Sequence, residues 1–164
     1  MIQKYVFGNP IATNAVVTEI KPTQEPLPFF TTDGNGTFTY SLSEEDIVYG
    51  LGEQIRGINK RGWQYISWNY DNPNHHEDTR SLYGSHNFIL IRGTKTFGAF
   101  FDYAGKMEFD IGYTKRNLMQ IKAAKNDLTV YIITGENEKD IEYHGNTSSA
   151  SIPIAFDEAI RAGK

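Results

Sequence analysis

The chain has 164 residues, with 16 basic against 20 acidic side chains, a net charge of −4 and no cysteine. This length fits about one domain with a real hydrophobic core. The missing cysteines exclude disulfides, thiolate metal sites and cysteine nucleophiles, and no Lys/Arg run exceeds two residues, so no nucleic-acid footprint is expected. Aromatic side chains make up 13% of the sequence and glycines number 15, a composition that leans towards an all-β domain. The N-terminal Met1-Ile2-Gln3-Lys4-Tyr5 has no apolar signal core, and no stretch approaches 18 apolar residues. A soluble, cytoplasmic chain without a membrane partner is expected.

Residues 1–36 read as weak strands broken at Gly8-Asn9-Pro10 and at Pro22, Pro26 and Pro28, because proline brings no ladder N–H. Asp33-Gly34-Asn35-Gly36 is a turn signal before Thr37–Leu42, whose polar and apolar residues alternate as in a half-buried strand. Further strands are predicted at Trp63–Trp68 and Asn87–Ile91, the latter a continuous apolar run suited to a strand covered on both faces. Thr96–Phe101 follows a Gly93-centred turn and forms a hairpin with it. Met107, Phe109, Ile111 and Tyr113 alternate with Glu108, Asp110 and Gly112, the cleanest period-2 pattern in the chain. Leu118–Ala124 is a weaker strand, and Leu128–Ile133 closes the series. Short strands divided by turns predict an antiparallel β-sandwich. Ile152, Ala155, Phe156, Ala159 and Ile160 then share one face of a short C-terminal helix, with Gly163 as its stop.

The segment Trp68-Asn69-Tyr70-Asp71-Asn72-Pro73-Asn74-His75-His76-Glu77-Asp78 is long, polar and flanked by aromatic rings. Such a loop on a rigid sheet suits carbohydrate: carboxylates and amides bond hydroxyls while Trp and Tyr faces cover C–H surface. The competing reading is an ordinary solvated loop. His75-His76 lacks a spaced third ligand, and neighbours on an extended chain point apart, so no metal is expected there. Glu44-Glu45-Asp46 reads as a solvated turn. A retaining glycosidase needs two carboxyl groups about 5–5.5 Å apart across its substrate, and linear spacing establishes no such pair here. Tyr49-Gly50-Leu51-Gly52-Glu53 lacks the Lys-Ser/Thr of a phosphate cradle, so its glycines are read as permitting a tight backbone path. No cofactor is implied.

Taken in order, Tyr49-Gly50-Leu51-Gly52-Glu53, Arg56-Gly57, Trp68-Asn69-Tyr70-Asp71, Leu82-Tyr83-Gly84-Ser85-His86-Asn87-Phe88 and Gly98-Ala99-Phe100-Phe101-Asp102 resemble the N-terminal domain of α-glucosidases of glycoside hydrolase family 31. The resemblance covers residues 1–141. It implies a galactose mutarotase-like β-sandwich that is non-catalytic. In that family an Asp nucleophile and an Asp acid/base sit on a following (β/α)8 barrel, which takes at least about 200 residues; no residue here is expected to be catalytic. The sandwich of the family supports the barrel and lends one loop to the substrate pocket. By residue match that loop carries Trp68, Asn69 and Asp71, with α-glucoside sugars as the ligands, held weakly without the opposite wall.

Residues 142–164 depart from this pattern. Gly145-Asn146-Thr147-Ser148 and its surroundings resemble β-ketoacyl-acyl-carrier-protein synthase III, with Asn146 at that family's catalytic Asn. Condensing chemistry is excluded because that family's nucleophile is a cysteine. The change of resemblance near Asp140–Glu142 points to a truncated or chimeric chain. A sandwich parted from its barrel exposes apolar surface, which either the tail helix covers or self-association buries. The rival readings are a stand-alone carbohydrate-binding module and a sugar mutarotase with His86 as its base.

Overall fold

A computed structural model describes residues 1–11, 20–71 and 73–135. These form ten strands and no helix: β1 (Ile2–Phe7), β2 (Thr31–Thr32), β3 (Thr37–Ser41), β4 (Ile47–Gly52), β5 (Trp63–Ser67), β6 (Ser85–Arg92), β7 (Phe97–Asp102), β8 (Met107–Ile111), β9 (Leu118–Ala123) and β10 (Leu128–Ile133). They pair antiparallel in two five-stranded sheets. The first runs β1-β10-β7-β6-β4 and the second β2-β3-β9-β8-β5. The expected all-β antiparallel sandwich is therefore the fold. The predicted tail helix lies outside the described residues.

Alternation explains the layers. In β8, Met107, Phe109 and Ile111 are buried while Glu108 and Asp110 face outward. Directly opposite them in register stand Ala123, Ile121 and Met119 of β9, all buried. The first sheet contributes Ile89 and Ile91, Phe97 and Phe101, and Leu128, Val130 and Ile132 to the same core. Phe101 lies at its centre, with ring centroids 5.3 Å from Phe38, 5.8 Å from Phe30 and 6.3 Å from Phe109, all edge-on. Each such fully buried ring stabilises the fold by roughly 1.5–3 kcal/mol relative to exposure.

Strand β6 is covered on both sides, as its unbroken apolar run predicts. Ile89 and Ile91 enter the central core, while Phe88 and Leu90 form a second cluster with Tyr49, Phe100 and Ile133. Three of the four sheet edges each share a hydrogen bond with loop backbone. The Lys60 amide donates to Val48 O at 2.7 Å beside β4, Thr23 N to Lys4 O at 2.9 Å beside β1, and Ile66 N to Arg80 O at 2.8 Å beside β5.

The tight backbone path expected at Tyr49–Glu53 lies largely in strand β4, Ile47–Gly52, which pairs with β6. One local reading needs correction, the solvated turn at Glu44-Glu45-Asp46. Within Glu44-Glu45-Asp46 only the glutamates are exposed; Asp46 is 2% exposed. Its Oδ2 accepts from Tyr40 Oη at 3.1 Å and Ser43 N at 2.8 Å, which supply the polarity that burial removes. Burial and the Asp46 carboxylate together push the Tyr40 phenol up to about 12.

Candidate functional site

The candidate loop joins the two layers. It leaves β5, in the second sheet, after Ser67, and enters β6, in the first sheet, at Ser85. Its two legs are tied. Ser81 Oγ donates to Trp68 O at 2.6 Å, and Ser85 N donates to Asn69 Oδ1 at 2.8 Å. The return leg is further held by His76 N to Thr79 Oγ1 at 2.9 Å and by the His75 ring edge-on to Tyr83 at 5.6 Å. Tethering at several points lets a long polar connection hold a defined course.

Between these anchors the loop displays aromatic surface. Trp68 is 52% exposed, Tyr70 46% and Tyr83 43%, and Asp71 is exposed beside them in sequence. All three expected site residues, Trp68, Asn69 and Asp71, are thus exposed. Asn69 in addition accepts the Ser85 amide on its side-chain oxygen. Ser81, 6% exposed, and Ser85, 5% exposed, are the anchors that sequence reading did not single out. No linear signal marks them, because their partners lie 13 and 16 residues away.

Two further arrangements bear on chemistry. The outer face of the second sheet is a concavity of about 360 Å³ lined by Gln64, Ile66, Arg80, Glu108, Asp110 and Lys122, among others. Its carboxylates are already engaged. Glu108 pairs with Lys106 at 2.8 Å. Asp110 accepts from Gln64 Nε2 at 2.9 Å, from the Thr114 hydroxyl, and from the Tyr113 and Thr114 amides at 3.0 and 3.1 Å. Burial opposes its charge, but these hydrogen bonds outweigh it and hold the carboxyl below 3.8. They are structural partners for the β8–β9 turn. His86, the base that a mutarotase would use, keeps Nε2 buried without a protein partner, and burial holds its pKa below 6.5. Among the described residues no group of three or more His, Cys, Asp or Glu side chains could hold a metal, and no helix is long and apolar enough to cross a membrane.

A ten-strand antiparallel sandwich with a bridging, aromatic-bearing loop defines a mutarotase-type β domain. The family described as the glycosyl hydrolase 31 N-terminal galactose mutarotase-like domain matches residues 14–110, and the chain belongs to that family. Alpha-glucosidase 2 of Bacillus thermoamyloliquefaciens is 30% identical over 128 residues, which is 76% of this chain and 16% of the relative. Alpha-xylosidase XylQ of Lactiplantibacillus pentosus is 25% identical over 118 residues, 71% of this chain and 15% of the relative. The chain thus spans about a sixth of the length of these curated relatives. Among solved structures, a Flavobacterium johnsoniae GH31 dextranase complexed with isomaltotriose superposes with a TM-score of 0.56 at 29% identity, over 68% of this chain and 14% of that one.

Proposed function

We propose that this chain is the non-catalytic N-terminal domain of a retaining α-glucosidase, in whose whole form the sandwich supports a catalytic barrel. The loop Trp68–Asp71 supplies part of the wall of that enzyme's substrate pocket. The observation that carries this reading is the loop itself: Trp68 and Tyr70 exposed next to Asp71, on a connection tied at Trp68 and Asn69, in a chain of the GH31 N-terminal family. Exposed rings beside a carboxylate match the two faces of a sugar, its C–H surface and its hydroxyls. One wall cannot enclose a sugar, so affinity is set at about millimolar or weaker.

Titration of the ¹⁵N-labelled chain with maltose and isomaltose tests this. Shifts confined to Trp68–Asp71 at high millimolar sugar, with no turnover of p-nitrophenyl α-glucoside, are the expected result. Hydrolysis of an α-linked disaccharide by the chain would overturn it. The exposed rings of Trp68, Tyr70 and Tyr83 favour one second reading, a stand-alone carbohydrate-binding module; saturation well below millimolar sugar would select it.

The proposal extends to the domain limits, a sandwich over 1–141 and a foreign tail over 142–164 that resembles the ketoacyl synthase segment. The tail's apolar face, Ile152, Phe156 and Ile160, either covers the sandwich or gives way to self-association. Residues 136–164 lie outside the described residues, so this part rests on the change of resemblance. Sequencing the source locus checks it: one continuous glycosidase gene running through residue 142 into a barrel would refute the join.

A further inference from the structure

The end of the sandwich beneath the Trp68–Asp71 loop contains the most unusual backbone among the described residues. Gly50, Leu51 and Gly52 follow one another at φ +112°, +65° and +68°. Leu51 is a bulky residue held in the left-handed region and is 1% exposed. A non-glycine residue in this position is costly and persists only where its surroundings fix it. The consequence is visible in the strand register. Gly50 pairs with Ile89 but Gly52 pairs with Ser85, so two steps along β4 correspond to four along β6. The surplus residues lie on β6, opposite Leu51, and past this irregularity Glu53 meets Gly84.

There, Glu53 closes a reciprocal pair of bonds. Its N–H donates to Gly84 O at 2.9 Å, and its carboxylate Oε2 accepts from Gly84 N at 3.2 Å. The next amide along the chain, Ser85 N, is taken by Asn69 Oδ1 at 2.8 Å. Two consecutive amides at the entrance to β6 are therefore held by side chains from two different segments, one just past the end of β4 and one from the loop after β5. The β4 end is rigid for the reasons just given: a Cβ at Gly52 would lie 2.2 Å from Gly84 O, so the two backbones are in direct contact.

We infer that Glu53 and Asn69 are positioning residues, which fix the Trp68–Asp71 loop to the sandwich by holding the Gly84 and Ser85 amides in series. This assigns Asn69 a role apart from sugar contact. Its side-chain oxygen holds the scaffold while the side chain stays exposed, so the positioning role is distinct from any bond its amide N–H groups could make. The inference rests on the proposed reading of this loop as a pocket wall for its purpose, but the bonds it names are tested without any sugar.

The test uses amide hydrogen exchange and ¹⁵N relaxation on the full chain. Asn69→Ala removes the acceptor, so exchange at Ser85 should rise about tenfold or more, the scale of one lost hydrogen bond, and Trp68–Asp71 should gain fast motion. Asn69→Asp keeps an oxygen at the same place and should restore both. Glu53→Ala should raise Gly84 exchange and loosen the same loop, and Glu53→Gln should restore it. The amides of Phe101 and Val130, in the middle of the first sheet, report whether the core stays folded. Should Asn69→Ala lose the core, Ser81→Ala, which frees the loop's other anchor at Trp68 O, provides the reference for a loosened loop, and Asn69→Asp decides the claim by keeping the Ser85 amide protected.

Maltose titration is then run on each variant as a separate reading. Sugar shifts at Trp68 and Asp71 that vanish in Asn69→Ala and return in Asn69→Asp, together with the exchange pattern, support the positioning role. Sugar shifts that vanish in Asn69→Ala while Ser85 exchange and loop motion stay unchanged would make Asn69 a direct sugar contact and overturn it. Wild-type chain that shows no sugar shifts at all would defeat the pocket-wall reading, yet the exchange data would still decide the positioning claim.

Discussion

Two glycines of similar backbone conformation separate the cost of a left-handed residue from the cost of close approach. Gly34 and Gly52 have φ of +75° and +68°, but a Cβ on Gly34 meets nothing within 4 Å, whereas a Cβ on Gly52 would sit 2.2 Å from Gly84 O and 2.6 Å from His86 Cδ2. For Gly34→Ala the left-handed conformation costs about 1–2 kcal/mol, and the stiffer unfolded chain returns about 0.4–1 kcal/mol, so the net loss is about 0–1.6 kcal/mol. Gly52→Ala carries the same two contributions and adds an overlap with a backbone carbonyl that no rotamer change can relieve. The β4 end must move off Gly84, which opens the two Glu53–Gly84 hydrogen bonds at about 1 kcal/mol each and strains the bulge by about 1–3 kcal/mol. A loss of roughly 3–7 kcal/mol is expected in total. Urea unfolding followed by Trp fluorescence measures both, since Trp63 is half-buried and stacked under the Arg56 guanidinium at 3.8 Å. With a slope of about 2 kcal/mol/M, the midpoint should fall by at least about 1.5 M for Gly52→Ala and by about 0.8 M or less for Gly34→Ala. Equal shifts, or a larger one at Gly34, would refute the bulge geometry and with it the placement of Glu53.

The Arg61 fork donates to Ser43 O, to Glu44 O and Asp46 O at 3.3 and 3.1 Å, and to Arg116 O at 3.0 Å. Arg61→Ala should therefore cost about 2–3 kcal/mol in urea unfolding, and Arg61→Lys should recover less than half of it, because an ammonium cannot reach carbonyls on both sides of the fork. Burial keeps the folded-state pKa of His86 below 6.5, so between the two values the unfolded chain binds more protons and stability falls as pH drops through that window. Thermal melts across it should show a pH slope that His86→Gln flattens; an unchanged slope would remove His86 as its source.

The fold was legible wherever one face of a strand is wet. Thr37–Leu42 and Met107–Ile111 alternate because one side meets the core and the other meets water, and their polar members are the ones that remain accessible. Tyr113, expected on the buried side of the same pattern, lies past the end of β8 and is 49% exposed. β4 was less legible because its information is geometric. That Gly50 and Gly52 permit a tight path is legible, but which backbone they lie against, Phe88 and Gly84, is set only by the fold. Asp46 was misread for a related reason. A carboxylate after two glutamates looks solvated, and only the fold brings Tyr40 Oη and Ser43 N to it and removes the water. The site divides in the same way. The aromatic and acidic character of Trp68–Asp71 can be read from the chain itself. The commitment of Asn69 to Ser85 depends on a connection crossing between sheets, which spacing does not encode.

The motifs that marked the chain as a member of its family turn out to be one physical unit. Tyr49–Glu53, Trp68–Asp71 and Leu82–Phe88 are spread over about 40 residues, yet Glu53 bonds Gly84, Asn69 bonds Ser85, and Gly52 can lie against Gly84 only because it has no Cβ. Gly98, in Gly98–Asp102, is tied to Leu82–Phe88 by the same logic: a Cβ there would stand 3.1 Å from the Phe88 ring. Each motif alone is weak because each supplies only half of a contact. Together they are specific because the contacts require both halves. It follows that transplanting Trp68–Asp71 by itself onto another sandwich should yield an untethered loop, while moving it with Gly50–Glu53 and Gly84–Ser85 should carry the loop's order along. Amide exchange at the transplanted Ser85 position distinguishes the two.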